Sequence, residues 1–148
     1  MFVTAGAGFL LAVLWFDLMF DVQVLRAAPR DAPEQPLESI AAYYRRVTTG
    51  ARPMNLLVGA VMAGTLVALV VQIANGDSPD WVGWTSLVLA GAAIGTAVAH
   101  TFPSARRLGA RRDPAAVQTR LARSICRDHL FCLAAIATVL IVQLAFAA

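Results

Sequence analysis

Four apolar runs, each close to the length a bilayer requires, constrain this chain more than any other feature. They lie at residues 2–25, 53–74, 81–101 and 126–147, and a helix needs about 20 predominantly apolar residues to cross a hydrocarbon core of about 30 Å. The composition agrees: 59% of the residues are hydrophobic, 14% are charged and the mean hydropathy is +0.67. A soluble domain is nearer 45–50% apolar and about 25% charged. A length of 148 residues suits one compact unit, residues 1–148, and leaves no room for a separate soluble domain. The first run has no basic stretch before it and no small-residue cleavage site after it, so it reads as a span and not as a signal peptide. The expected fold is therefore all-α, an integral membrane bundle of four transmembrane helices.

The arginines orient the bundle. Arg26, Arg30, Arg45, Arg46 and Arg52 lie between the first and second runs, and Arg106, Arg107, Arg111, Arg112, Arg120, Arg123 and Arg127 follow the third. Those are all twelve basic residues, whereas the loop NGDSPD between runs two and three holds only Asp77 and Asp80. Basic loops stay in the cytoplasm. Both termini and the NGDSPD hairpin are thus expected outside, in a multi-pass protein of the inner (plasma) membrane.

The connections have distinct characters. Ala27 to Pro36 contains three prolines and reads as an extended linker. From Leu37 the apolar positions Leu37, Ile40, Ala41, Tyr44 and Val47 recur at helical spacing. With Tyr43, Arg45 and Arg46 alongside, this is either a short amphipathic helix in the headgroup region or a connector over the inner end of the bundle. Asn75-Gly76 marks a tight turn, Ser78-Pro79 resembles an N-cap followed by proline, and Trp81 and Trp84 sit where an interfacial aromatic belt is expected. After Asp113-Pro114 nothing up to Ala147 stops a helix, which would then be about 50 Å long and project beyond the bilayer.

Span three carries Gly91, Gly95 and Ala99, a small-residue stripe suited to close helix packing, within this bundle or at the seam of a homo-oligomer or larger membrane complex. Cys126 and Cys132 are about 9 Å apart along one helix and read as free thiols. The arginines flank spans and have no aromatic stacking platform, so nucleic acid is not an expected partner.

Polar residues gather toward the cytoplasmic side. They are Asp17, Asp21 and Gln23 on span one, Arg52 and Asn55 on span two, His100 on span three, and Arg127, Asp128 and His129 on span four. Acids within a membrane helix are costly and mark functional sites by default. Asp17 and Asp21, four apart, share one helix face. One reading is a non-haem metal held by Asp21, His100 and His129, because two imidazoles and a carboxylate form a known iron-binding set. Asp17 lies about 13 Å inward of Arg26, too deep to join that set easily. A haem between His100 and His129 is a further reading. The plain reading is ion pairing of Asp21 with Arg52, with Asn55 as the polar neighbour of the deeper Asp17. Phosphate loops, nucleophile elbows, HExxH and paired CxxC are all absent from the sequence.

Three segments, YYRRVTTGARPMN, TFPSARRLGARRD and RLARSICRDHLF, resemble those of the small four-helix membrane proteins that include the anthrone oxygenases. The Arg127-Asp128-His129 element, with Arg123 upstream, departs from the spacing usual in that family. The resemblance implies a four-helix membrane fold and an oxygenase-like site for a small apolar or aromatic molecule. Asp17, Asp21, His100 and His129 would then be acid/base or metal-binding groups, with Arg52 and Asn55 binding substrate. The other function class is a non-catalytic accessory subunit that docks through Gly91 and Gly95 or through the basic cytoplasmic helix.

Overall fold

In the computed structural model, residues 1–26 and 32–147 are described, the side chains of Arg26 and Arg52 excepted. Their secondary structure is helical throughout. The helices are α1 (Phe2–Asp21), α2 (Glu34–Arg45), α3 (Arg52–Asn75), α4 (Asp80–Thr96), α5 (Phe102–Ala110) and α6 (Ala115–Phe146). A 3₁₀ turn, Val22–Arg26, extends α1, and π-helical turns at Arg46–Gly50 and Ala97–Thr101 extend α2 and α4.

Local chemistry sets the boundaries. Gly76 ends α3 in the left-handed region at φ 68°, and the amides of Gly76 and Asp77 return to the carbonyls of Ile73 and Gln72. That is a Schellman closure, which glycine adopts at least cost. Proline precedes both α4 and α6: Pro79 and Pro114 occupy their N-caps, one residue earlier in helix register than the sequence suggested. Asp113 is therefore free to hold Arg107 through two hydrogen bonds of 2.8 Å.

Two expectations need correction. The third rod does not stop at Thr101, because the π turn passes into α5 and places Pro103 where a missing amide is tolerated. The proline-rich linker is also shorter than expected. Helix α2 has begun by Glu34, with Pro36 in its first turn, where amides have no intrahelical partner. The Ala27–Asp31 part of that linker lies outside the described residues.

The long helices alternate in direction around a square, in the order α1, α3, α4, α6, with contacts along the sides and none across the diagonals. Val3, Ala7, Leu10, Leu69, Ala90, Ala93, Ile136 and Val139 fill the bundle toward its hairpin end. At the arginine-rich end, α2 packs on α5 and on the start of α6. There Leu37, Ile40, Ala41 and Tyr44 meet Leu108, Ala122 and Ile125 in a second core. The amphipathic helix predicted from Leu37 thus covers the bundle's end with its apolar face turned inward.

α1, α3, the α4–α5 rod and α6 are each long and apolar enough to cross a membrane. Their outward faces carry Trp15, Phe16, Leu56, Val67, Val88, Ile141 and Leu144, all exposed. The Gly91/Gly95/Ala99 stripe is not the packing surface within the bundle. Gly95 and Ala99 are exposed, and a Cβ added at Gly91 or Gly95 meets nothing within 4 Å. α4 packs instead through Val82, Gly83, Ser86, Ala90 and Ala93.

Candidate functional site

The site forms where α2 crosses the end of α1 and α6. Asp17 and Asp21 project from one face of α1, one turn apart, while Trp15, Phe16 and Met19 take the outward side. α2 supplies two phenols from adjacent positions. Tyr43 donates to Asp17 Oδ1 at 2.6 Å and Tyr44 donates to Asp21 Oδ1 at 2.6 Å. Phe20 stacks on the Tyr43 ring at 4.1 Å and 8°, holding that phenol over α1.

α6 supplies the third element. His129 Nδ1 lies 2.6 Å from Asp21 Oδ2 and 3.4 Å from the Tyr44 hydroxyl. Both Asp21 oxygens are thereby engaged, and its side chain is fully buried. With Asp21 ionised, this network assigns the Nδ1 proton to His129. Nε2 then faces Asp17 Oδ2 at 3.8 Å. That gap is too long for a hydrogen bond and short enough for an inserted water or ligand atom to bridge.

Asp17, His129 and Thr101 form the polar part of a mainly apolar cavity of about 60 Å³. Its wall includes Leu10, Leu14, Met62, Ile94, Cys132 and Ile136, with Thr101 beside them, so all four long helices contribute.

Electrostatics secure α2 at this place. Burial is the main reason both phenols titrate above their ordinary range. The facing carboxylates add to it, Asp17 most at Tyr43 and Asp21 most at Tyr44. The two tyrosines therefore stay protonated, as donors to the carboxylates require. Gly109 makes the close approach of α2 and α5 feasible. A Cβ there would lie 2.8 Å from the Arg45 amide nitrogen and 3.3 Å from the Tyr44 carbonyl carbon.

The structure redistributes the residues the sequence grouped together. Asp17, Asp21 and His129 converge, so the separation of the two acids expected from depth does not hold. His100 is elsewhere. Its ring is 53% exposed, and Nδ1 lies 2.5 Å from Asp128 Oδ2, which also accepts the Thr101 hydroxyl at 3.0 Å. The metal set Asp21, His100 and His129 is thus not assembled, and no three His, Cys, Asp or Glu side chains among the described residues are placed to hold an ion. His100 does not line the cavity beside His129, so the two imidazoles expected to hold a haem do not face that space together. Asn55 is exposed and is not the partner of Asp17; that partner is Tyr43. The Arg52 side chain, expected against Asp21 or a substrate, lies outside the described part.

Cys126 and Cys132 are free and buried, and the Cys132 thiol donates to the Ala93 carbonyl at 3.4 Å. Sequence reasoning missed the tyrosines as site residues. The signal was there: Tyr44 falls on the same apolar stripe as Leu37, Ile40 and Ala41, so its hydroxyl had to point into the protein. Compared with family models, with curated proteins and with solved structures, the chain shows no match.

Proposed function

We propose that this protein is embedded in a membrane with its arginine-rich end in the cytoplasm, and that the cavity beside His129 takes a small apolar molecule bearing an acidic hydroxyl or C–H group. The observation that carries this reading is the division of labour on one imidazole. Nδ1 is held by Asp21, while Nε2 is turned to Asp17 and an apolar cavity. A buried carboxylate behind Nδ1 fixes the ring and stabilises the imidazolium that forms when Nε2 takes a proton. Asp17, oriented by Tyr43, then faces the same atoms from the other side. Proton abstraction from an apolar aromatic substrate is a step an oxygenase-like activity would ask of these residues.

The cavity is smaller than the roughly 300–1,000 Å³ of ordinary ligand pockets. The fitting molecule is therefore a single small ring or chain, or the lining helices part to admit a larger one. Phenol and its non-acidic ether anisole discriminate. With ¹⁵N-histidine-labelled protein in lipid nanodiscs, phenol is expected to shift the His129 ring signals, anisole is not, and Asp17→Asn reduces the phenol effect. A His129 signal indifferent to phenol would sink the reading.

The second reading, an accessory subunit, has one observation in its favour: Gly91 and Gly95 are unused inside the bundle and leave space for a neighbouring helix. Gly95→Leu is then expected to dissociate an assembly seen by native mass spectrometry. An unchanged mass distribution counts against it.

A further inference from the structure

We infer that His100, Asp128 and Thr101 form a proton path between the surface at the arginine-rich end and the cavity beside His129. The inference rests on His129 as the cavity's proton-exchanging group. The three residues meet at the π turn Ala97–Thr101, which brings two consecutive side chains of one rod onto Asp128 of α6. Each end of the chain has the environment a relay requires. The His100 ring is half exposed, close in sequence to Arg106 and packed against the residue following Arg127, so it lies at the surface of the arginine-rich end. Thr101 is 2% exposed and lines the cavity. Asp128 sits between them with a single oxygen, Oδ2, serving both neighbours.

The transfer balances without a co-reactant. Solvent protonates His100 at Nε2, and the ring gives up the Nδ1 proton it already shares with Asp128 Oδ2. Once Oδ2 carries that proton it donates to Thr101 Oγ1, while the threonine's own hydroxyl proton passes to water, for which a cavity of about 60 Å³ has room for about two molecules. That water protonates the bare Nε2 of His129, and the exposed His100 ring recovers its tautomer by exchange with water. Only O–H and N–H bonds break and form, and one proton is moved. The competing outlet is Tyr43, half-buried and donating to Asp17.

The chain has two histidines, so ¹⁵N-histidine labelling gives two ring systems that can be followed separately in nanodiscs. The readout is the rate at which His129 gains and loses a proton at Nε2, seen as exchange between the ¹⁵N signals of its imidazole and imidazolium forms. Thr101→Val is expected to slow it about tenfold or more, the effect of adding about 1.4 kcal/mol to a barrier. Thr101→Ser should restore the rate. His100→Gln, at an exposed position that leaves the core intact, should slow it as well. Wild-type exchange in both Thr101→Val and His100→Gln overturns the path, and so does slowing found only in Tyr43→Phe. Exchange is measured without any cavity ligand, so failure of the phenol experiment and failure of this one are separate results.

Discussion

Asp21 has little freedom to move. It is fully buried, accepts from Tyr44 and faces His129, with no oxygen left over. Truncating one member of such a buried set leaves the others unpartnered, which costs far more than the set contributes as a whole. Asp21→Ala is accordingly expected to destabilise the protein by about 3–5 kcal/mol, read as a fall in the denaturation midpoint in detergent. The phenols give a second residue-scale expectation. Both tyrosines of the chain lie in this site, and both titrate above the ordinary value because burial and the facing acids disfavour phenolate. A group whose pKa is raised by folding adds stability that is complete below its unfolded value, about 10 for tyrosine, and is lost as pH climbs through the folded value. Phenolate absorbance near 295 nm should therefore stay low as the folded protein passes pH 10, and appear together with unfolding. A two-tyrosine titration at the ordinary value would show that α2 is not docked as described.

At the scale of elements, the docking of α2 on α5 is what brings the tyrosines to α1. Its weak point is Gly109, where an added methyl runs into the backbone of Arg45 and Tyr44, which cannot rotate away as a side chain can. Gly109→Ala should cost about 1–3 kcal/mol through overpacking and also let phenolate absorbance rise at lower pH. Gly95→Ala is the control. Nothing lies within 4 Å of the added atom, so stability should hold or improve by up to about 1 kcal/mol from helix propensity. Equal effects at both positions would mean that the α2–α5 contact is not limiting. The two π turns belong to this scale too. The one at Arg46–Gly50 ends at the non-helical Ala51, whereas the one before Phe102 keeps the third rod continuous and delivers Thr101 and His100 to Asp128.

For the whole molecule, four rods long and apolar enough to cross a membrane carry exposed Trp, Phe, Leu and Val on their outer faces, a surface compatible with an apolar surrounding. The proposed orientation has a direct test in intact cells. A cysteine at Ser78, in the α3–α4 hairpin, should react with a membrane-impermeant maleimide from outside. One at Arg112, between α5 and α6, should react only after permeabilisation. The buried Cys126 and Cys132 give a low background, and the opposite labelling pattern would invert the topology.

The four rods, their alternation and the asymmetry of charge are properties of composition along the chain, and the sequence alone determines them. Hydropathy over about 20 residues is a local sum that no tertiary contact can undo. The sharing of one face by Asp17 and Asp21 is equally local, fixed by the 3.6-residue turn. What those acids meet is not local. Sequence placed residues by depth along each helix, and depth paired Asp21 with Arg52 and drew His100 toward His129. Rotation about each helix axis, and the folding back of α2, decided otherwise. They turned His129 inward, left His100 beside Asp128 at the surface and brought Tyr43 and Tyr44 over both carboxylates. Helices apolar on every side carry almost no information about which face turns inward, so only the packed structure could select it.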